Sequence, residues 1–302
     1  MTLLVGAPGG GKLVVDCLGP RDGTPVFLMH GTPGSRSGPL PRGIVLHRLG
    51  VRLLSYDRPG YGDSARRPGR CVRHAADDVR AIADHLGYER FSVVGRSGGG
   101  PHALACAALL PDRVTMAAVL VTVAPPDSKG LDWYGGMGEL NRREYSGIDL
   151  DPAGGLGEII RKADEIKKDP ESLLRMLGGD LSSGDLRIVE DVEIREQLIR
   201  TYGEALKYGA DGWVDDVLAL RRPWGFDPSQ IQVPTLLWHG SQDRFSPVDH
   251  TRWLAARIPA AETYVERGAT HFGAVEGRAA RRRRRRRPRT AGPASCTSTR
   301  AS

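Results

Sequence analysis

Apolar positions along the chain fall into short runs separated by amphipathic stretches. Runs at 25–29 (PVFLM), 51–56 (VRLLSY), 91–94 (FSVV), 114–123, 233–239 (VPTLLWH) and 261–265 have the length and composition of sheet strands. Between the second and third runs, 71–86 places Val79, Ile82 and Leu86 on one helical face, and Gly87 stops it. From Pro101 an Ala/Leu-rich segment reads as a buried helix, and 250–258 reads as another. Strands alternating with helices predict an α/β domain built on a mostly parallel sheet flanked by helices. The pattern changes from 127 to about 229. Polar helical segments occur at 156–168, 170–177, 186–208 and 212–220, with few strand signals. This composition predicts a helical cap inserted after the strand that ends near Val123. The chain then divides into a core at 1–126, a cap at 127–229, a second part of the core at 230–276, and a tail at 277–302.

Composition adds little to that picture until the charge is placed. With 302 residues, 40% apolar and 26% charged, the chain can bury a sizeable core. The net charge of +7 is misleading, because ten of the 43 basic residues follow Gly277 and no acidic residue does. The remainder is mildly acidic and makes no case for a nucleic-acid surface. The four cysteines, Cys17, Cys71, Cys106 and Cys296, show no C-x-x-C spacing, so neither a zinc site nor a disulfide framework is indicated. The opening MTLLVGAPGGG has no basic segment and too short an apolar run for a secretory signal. The longest apolar run, 116–126, is too short to span a bilayer. A cytoplasmic protein is the expectation.

Candidate chemistry sits where runs end. FSVV leads into Gly95-Arg96-Ser97-Gly98-Gly99 and then the Ala/Leu-rich helix. A serine at the apex of a strand–turn–helix is a nucleophile elbow, G-x-S-x-G. Glycines are needed there because the serine backbone is strained and a side chain at Gly95 or Gly99 would collide with its neighbours. PVFLM runs into His30-Gly31-Thr32-Pro33-Gly34, and VRLLSY into Asp57-Arg58-Pro59-Gly60-Tyr61-Gly62-Asp63-Ser64. VPTLLWH delivers Gly240-Ser241-Gln242-Asp243, with Pro247 four residues on, and the last strand is followed by Gly268-Ala269-Thr270-His271-Phe272. Of the eight histidines, only His271 lies in a loop after the final strand and downstream of both Ser97 and Asp243. Gly6 to Lys12 matches the spacing of a phosphate-binding loop, but Leu13 stands where a magnesium-binding hydroxyl is needed and a strand follows instead of a helix. The segment reads as a Gly-rich turn entering an edge strand.

These motifs together resemble the α/β-hydrolase superfamily, over roughly residues 13–276. The resemblance implies the α/β-hydrolase fold and a triad in the family's chain order: Ser97 as nucleophile, Asp243 as acid, His271 as base. H-G-x-P-G resembles the family's oxyanion loop, which implies an oxyanion hole from the amides of Thr32 and Gly98. D-x-x-G-x-G-x-S is the family's next turn, with Asp57 in a structural role. Serine at the elbow, where dehalogenases and most epoxide hydrolases of this fold carry aspartate, points to an acyl-enzyme. No metal or organic cofactor is implied, and the expected partner is a small-molecule substrate, with neither a membrane nor nucleic acid indicated. Pro33, Arg96, Trp133, Tyr134, Phe245 and Phe272 are candidates for the substrate pocket; the sequence carries no signal for the oligomeric state.

The family's terminal helix is the one departure. The segment after Gly277 holds seven consecutive arginines and reads either as a disordered polyanion-binding tail or as the product of a shifted reading frame. The leading expectation of function is a serine hydrolase acting on a small, fairly apolar ester or amide. A proline-iminopeptidase-like aminopeptidase is the alternative within the enzymes; Glu139, Glu144 and Glu158 are candidates to hold its substrate's amine. A small-molecule receptor on the same fold is the alternative outside them.

Overall fold

The computed structural model describes residues 1–275, so both readings of 277–302 lie outside the described residues. Eight strands form one sheet: β1 (Thr2–Gly6), β2 (Lys12–Leu18), β3 (Thr24–Met29), β4 (Val51–Tyr56), β5 (Phe91–Arg96), β6 (Val114–Leu120), β7 (Thr235–Gly240) and β8 (Ala261–Glu266). Their order is β1-β2-β4-β3-β5-β6-β7-β8. The first two pairings are antiparallel and all the others parallel. Phe27, Val93, Ala117 and Leu237 on the inner strands are fully buried, as strands covered on both faces require. Each large apolar side chain buried this way contributes about 1.5–3 kcal/mol.

Helices α1 (Gly43–Leu49), α2 (His74–His85) and α3 (Gly100–Leu109) lie within the first part of the core. Six more fill the stretch between β6 and β7: α4 (Glu139–Leu150), α5 (Pro152–Lys168), α6 (Ser172–Leu177), α7 (Ser183–Val189), α8 (Val192–Leu206) and α9 (Asp211–Leu220). The helix α10 (Val248–Ala255) follows β7. None of the helices among the described residues is long and apolar enough to cross a membrane.

Several boundaries differ from the sequence reading. GAPGGGK closes a hairpin pairing Gly6 with Lys12, and the strand it enters is second in the sheet, with β1 at the edge. The single helix expected over 186–208 is two, because the Asp191 side chain accepts from Ile194 N at 3.1 Å and caps a new helix. Helices α1 and α4 are not among the elements expected from the sequence. The run 114–123 stops as a strand at Leu120, and Val121 turns into the left-handed region at φ +47°. A β-branched residue held there stores about 1–3 kcal/mol of strain.

Candidate active site

Ser97 stands where β5 stops, on a 3-10 turn that leads into α3. Its φ is +53°, a conformation that an L residue holds only when its surroundings impose it. Those surroundings are two close backbone approaches. A Cβ on Gly95 would lie 2.4 Å from Gly99 O, and one on Gly99 would lie 2.3 Å from Met29 O. Only glycine fits at either point, and that clearance lets the turn stay tight.

Asp243 follows β7 and is buried. Its Oδ1 accepts from Phe245 N at 2.8 Å and Ser246 N at 3.0 Å. Its Oδ2 lies 2.8 Å from His271 Nδ1, 3.2 Å from His239 Nε2 and 3.2 Å from Ser246 Oγ. Burial pushes the carboxyl's pKa up, but the charge of His271 and the hydrogen bonds from His239 and His271 outweigh it, so the group sits below the usual carboxylate range. With Nδ1–H held by Asp243, His271 keeps Nε2 for another partner. His239, which sequence reasoning set aside with the structural histidines, thus belongs to this network. So does Ser246, which donates to the carbonyl of the strained Val121 at 2.6 Å. Neither could be read from the chain, since each acts through residues that only the fold brings to Asp243.

Thr32 and Gly98 lie against each other. A Cβ on Gly98 would come within 2.3 Å of Thr32 Oγ1 and 3.3 Å of Thr32 N, so the two backbones meet beside Ser97. Behind them is a buried ionic network that the sequence did not reveal. Asp216 on α9 accepts from Thr32 Oγ1 at 2.7 Å and Tyr61 OH at 3.0 Å, and pairs with Arg58 and with Arg70 at 2.7 Å. Arg58 also donates to the carbonyls of His30 at 2.5 Å and Gly31 at 2.9 Å. Burial opposes the Asp216 charge, yet Arg58 and Arg70 hold its pKa well below the ordinary range. His102 Nδ1 meets Gly98 O at 2.9 Å, and burial together with Arg58 lowers its pKa to about 3, so it stays neutral. One carboxylate from the helical insert therefore ties the loop at 30–32 to the core. Asp57 accepts from Arg36 N at 2.8 Å and Asp63 N at 3.4 Å and pairs with Arg36, pinning its own turn.

One open cleft brings these parts together. Ser97, His271, Thr32, Pro33, Arg96, Phe245 and Phe272 line it. Trp133 and Tyr134 do not. Trp133 is buried with its Nε1 donating to Ala124 O at 3.0 Å and Arg221 stacked 4.1 Å over its ring, while Tyr134 turns its hydroxyl to Asp149 at 2.5 Å. Both find partners in the base of the insert. The aromatics that reach the cleft from the insert are Tyr202 and Trp213, the latter beside Glu144. Among the described residues no group of His, Cys, Asp or Glu is arranged to hold a metal ion.

Comparisons with known proteins agree with this architecture. A bifunctional esterase/perhydrolase of Acinetobacter calcoaceticus is 34% identical over 109 residues, covering 36% of this chain and 40% of that protein. A non-heme haloperoxidase of Rhodococcus erythropolis is 26% identical over 252 residues, covering 78% of this chain and 81% of its own. Among solved structures, an esterase from Exiguobacterium antarcticum superposes with a TM-score of 0.67 at 22% identity, covering 93% of this chain and 96% of the other. The family model for the alpha/beta hydrolase fold matches residues 24–278. With the strand order, the elbow and that match in agreement, the chain belongs to the α/β-hydrolase family.

Proposed function

We propose that the chain is a serine hydrolase that cleaves a small ester, or less readily an amide, through an acyl-enzyme on Ser97. The observation that carries this is the 2.8 Å contact between His271 Nδ1 and Asp243 Oδ2 at the edge of the cleft that Ser97 also lines. Ser97 Oγ attacks the substrate carbonyl carbon, and its proton passes to His271 Nε2. The carbonyl oxygen becomes an anion that the Thr32 and Gly98 amides meet, each donor contributing about 3 kcal/mol. The carbon–oxygen bond to the leaving group breaks and His271 returns the proton to the departing oxygen. Water then repeats the sequence on the acyl-enzyme and frees the acid. Asp243 holds the imidazole tautomer and stabilises its cation. The esterase named among the relatives supports the ester as the bond cleaved.

Labelling with a fluorophosphonate, followed by a panel of short esters, tests this reading. Wild type should label and turn over esters. Ser97→Ala should lose the label and at least about three decades of kcat. A folded Ser97→Ala protein that keeps the wild-type rate would remove Ser97 from the chemistry.

One observation favours the aminopeptidase-like alternative. Glu144 lines the cleft, whereas Glu139 is engaged by Arg142 and Arg143, and Glu158 pairs with Lys162 at 3.1 Å. Glu144 is less free than that role requires, since Trp213 donates to it at 3.0 Å and Lys162 stands 3.6 Å away.

A further inference from the structure

Several arginines in this fold are matched by acids. Arg36 pairs with four carboxylates, Arg58 and Arg70 share Asp216, and Arg66 pairs with Asp211 and Asp215. Arg96 is the exception that faces the cleft. It is the variable residue of the elbow, next to Ser97, and only partly exposed. Among the described residues no carboxylate lies within ion-pair distance of its guanidinium and no hydrogen-bond acceptor meets it. Burial lowers its pKa, with the Tyr202 phenol opposing that shift. Tyr202 lines the same cleft, and its hydroxyl likewise has no hydrogen-bond partner among the described residues.

A guanidinium remains charged at any working pH, and leaving it half-buried without a counter-ion is unfavourable. Such a group becomes favourable when a ligand brings the missing charge. We propose that the substrate carries its own carboxylate, seated on Arg96 with Tyr202 as a second donor, so that Arg96 determines specificity for anionic esters. The proposal rests on the hydrolase reading of Ser97 and deepens it. A carboxylate fits better than a phosphate. The other lining residues include Leu140, Leu173, Leu198 and Phe245 together with the Glu144 carboxylate, so a dianion would face one cation among apolar side chains and another acid. The carboxylate belongs either to the acyl part or to the leaving group.

Two substrate pairs on the full chain distinguish these and test the whole idea. 4-Nitrophenyl hydrogen adipate against its methyl ester places the charge on the acyl side. 4-Acetoxybenzoate against its methyl ester places it on the leaving side, and release of the phenol is read in each. In at least one pair, wild-type kcat/KM for the charged member should exceed the neutral one by about tenfold or more. Arg96→Gln should bring that ratio to about one or below, with folding checked by melting. The ratio cancels any general loss of rate. If Arg96→Gln does not fold, Arg96→Lys, which keeps the charge but not the bidentate fork, should cut the ratio by at least about threefold. A wild-type ratio of one or less in both pairs overturns the proposal, and so does a ratio that survives the substitution. If no ester turns over and Ser97 does not label, the hydrolase reading falls by itself. Calorimetry with monomethyl adipate then decides the carboxylate site. Binding weakened tenfold by Arg96→Gln supports it, and equal or absent binding removes it.

Discussion

At Asp243, burial is opposed by the charge of His271 and by hydrogen bonds, and together these prevail. Asp243→Asn has nearly the same shape but places an amide against His271 Nδ1. The imidazole then takes the other tautomer, with its proton on the nitrogen that should accept from Ser97. On the acyl-enzyme reading, kcat should fall by about four decades while circular dichroism stays native. A rate within tenfold of wild type would show that Asp243 does not orient the base. Ser97, Asp243 and His271 were legible because each sits in a short local motif at a strand end. His239, Ser246 and Asp216 were not, because what matters about them is distance in the fold. Asp216 and Thr32, for instance, are 184 positions apart along the chain and 2.7 Å apart in space. Trp133 and Tyr134 were misread for the same reason, since composition gives the aromatic content of the insert but not the face each ring takes.

Among the elements, α7 has a part in the site that its short length conceals. Ser182 and Asp185 form a capping box at its start, and the fully buried Asp185 also accepts from Phe272 N at 3.0 Å through Oδ1. Phe272 follows His271, so a helix of the insert holds the loop that carries the histidine. The approach is close: a Cβ on Gly184 would lie 2.8 Å from Thr270 Cγ2. Asp185→Ala keeps the Ser182 cap but removes the reciprocal half of the box and strands the buried Phe272 amide, which costs about 1–3 kcal/mol. The urea midpoint should fall accordingly, and fluorophosphonate labelling of Ser97 should slow as the His271 loop loosens. If the variant matched wild type in both measurements, α7 would be a spectator. The sheet was largely readable, since apolar runs mark covered strands. The break between α7 and α8 was not, because Glu190-Asp191 does not interrupt the helical periodicity and only the Asp191 cap divides it.

Over the whole molecule, buried ionisable groups set a pH dependence of stability with two opposing parts. His102 and His250 have pKa values lowered to about 3 and about 4, burial being the main cause in both. The unfolded chain takes up protons at histidine from about pH 6.5 downward while these two stay neutral in the fold, so they lower stability as pH falls. Asp78 on α2 acts in the other direction. It is buried, its Oδ1 has no hydrogen-bond partner among the described residues, and the nearest ion-pair partner, Arg67, is 4.0 Å away. Burial outweighs Arg67 and Arg70 and raises its pKa to about 7. An unfolded aspartate loses its proton near pH 4. Between about pH 4 and pH 7 Asp78 therefore keeps a proton in the folded state that it loses in the unfolded one, and its own contribution to stability falls as pH rises through that window. Above it the ionised Asp78 remains unfavourable by on the order of a few kcal/mol. Asp78→Asn removes this part and leaves the histidines in place. Its melting temperature should exceed wild type by several degrees at pH 8, and the advantage should shrink steadily on acidification and be lost near pH 4. An identical difference at both ends of that range would mean that Asp78 does not titrate in the folded chain, and that Arg67 and Arg70 keep it ionised throughout.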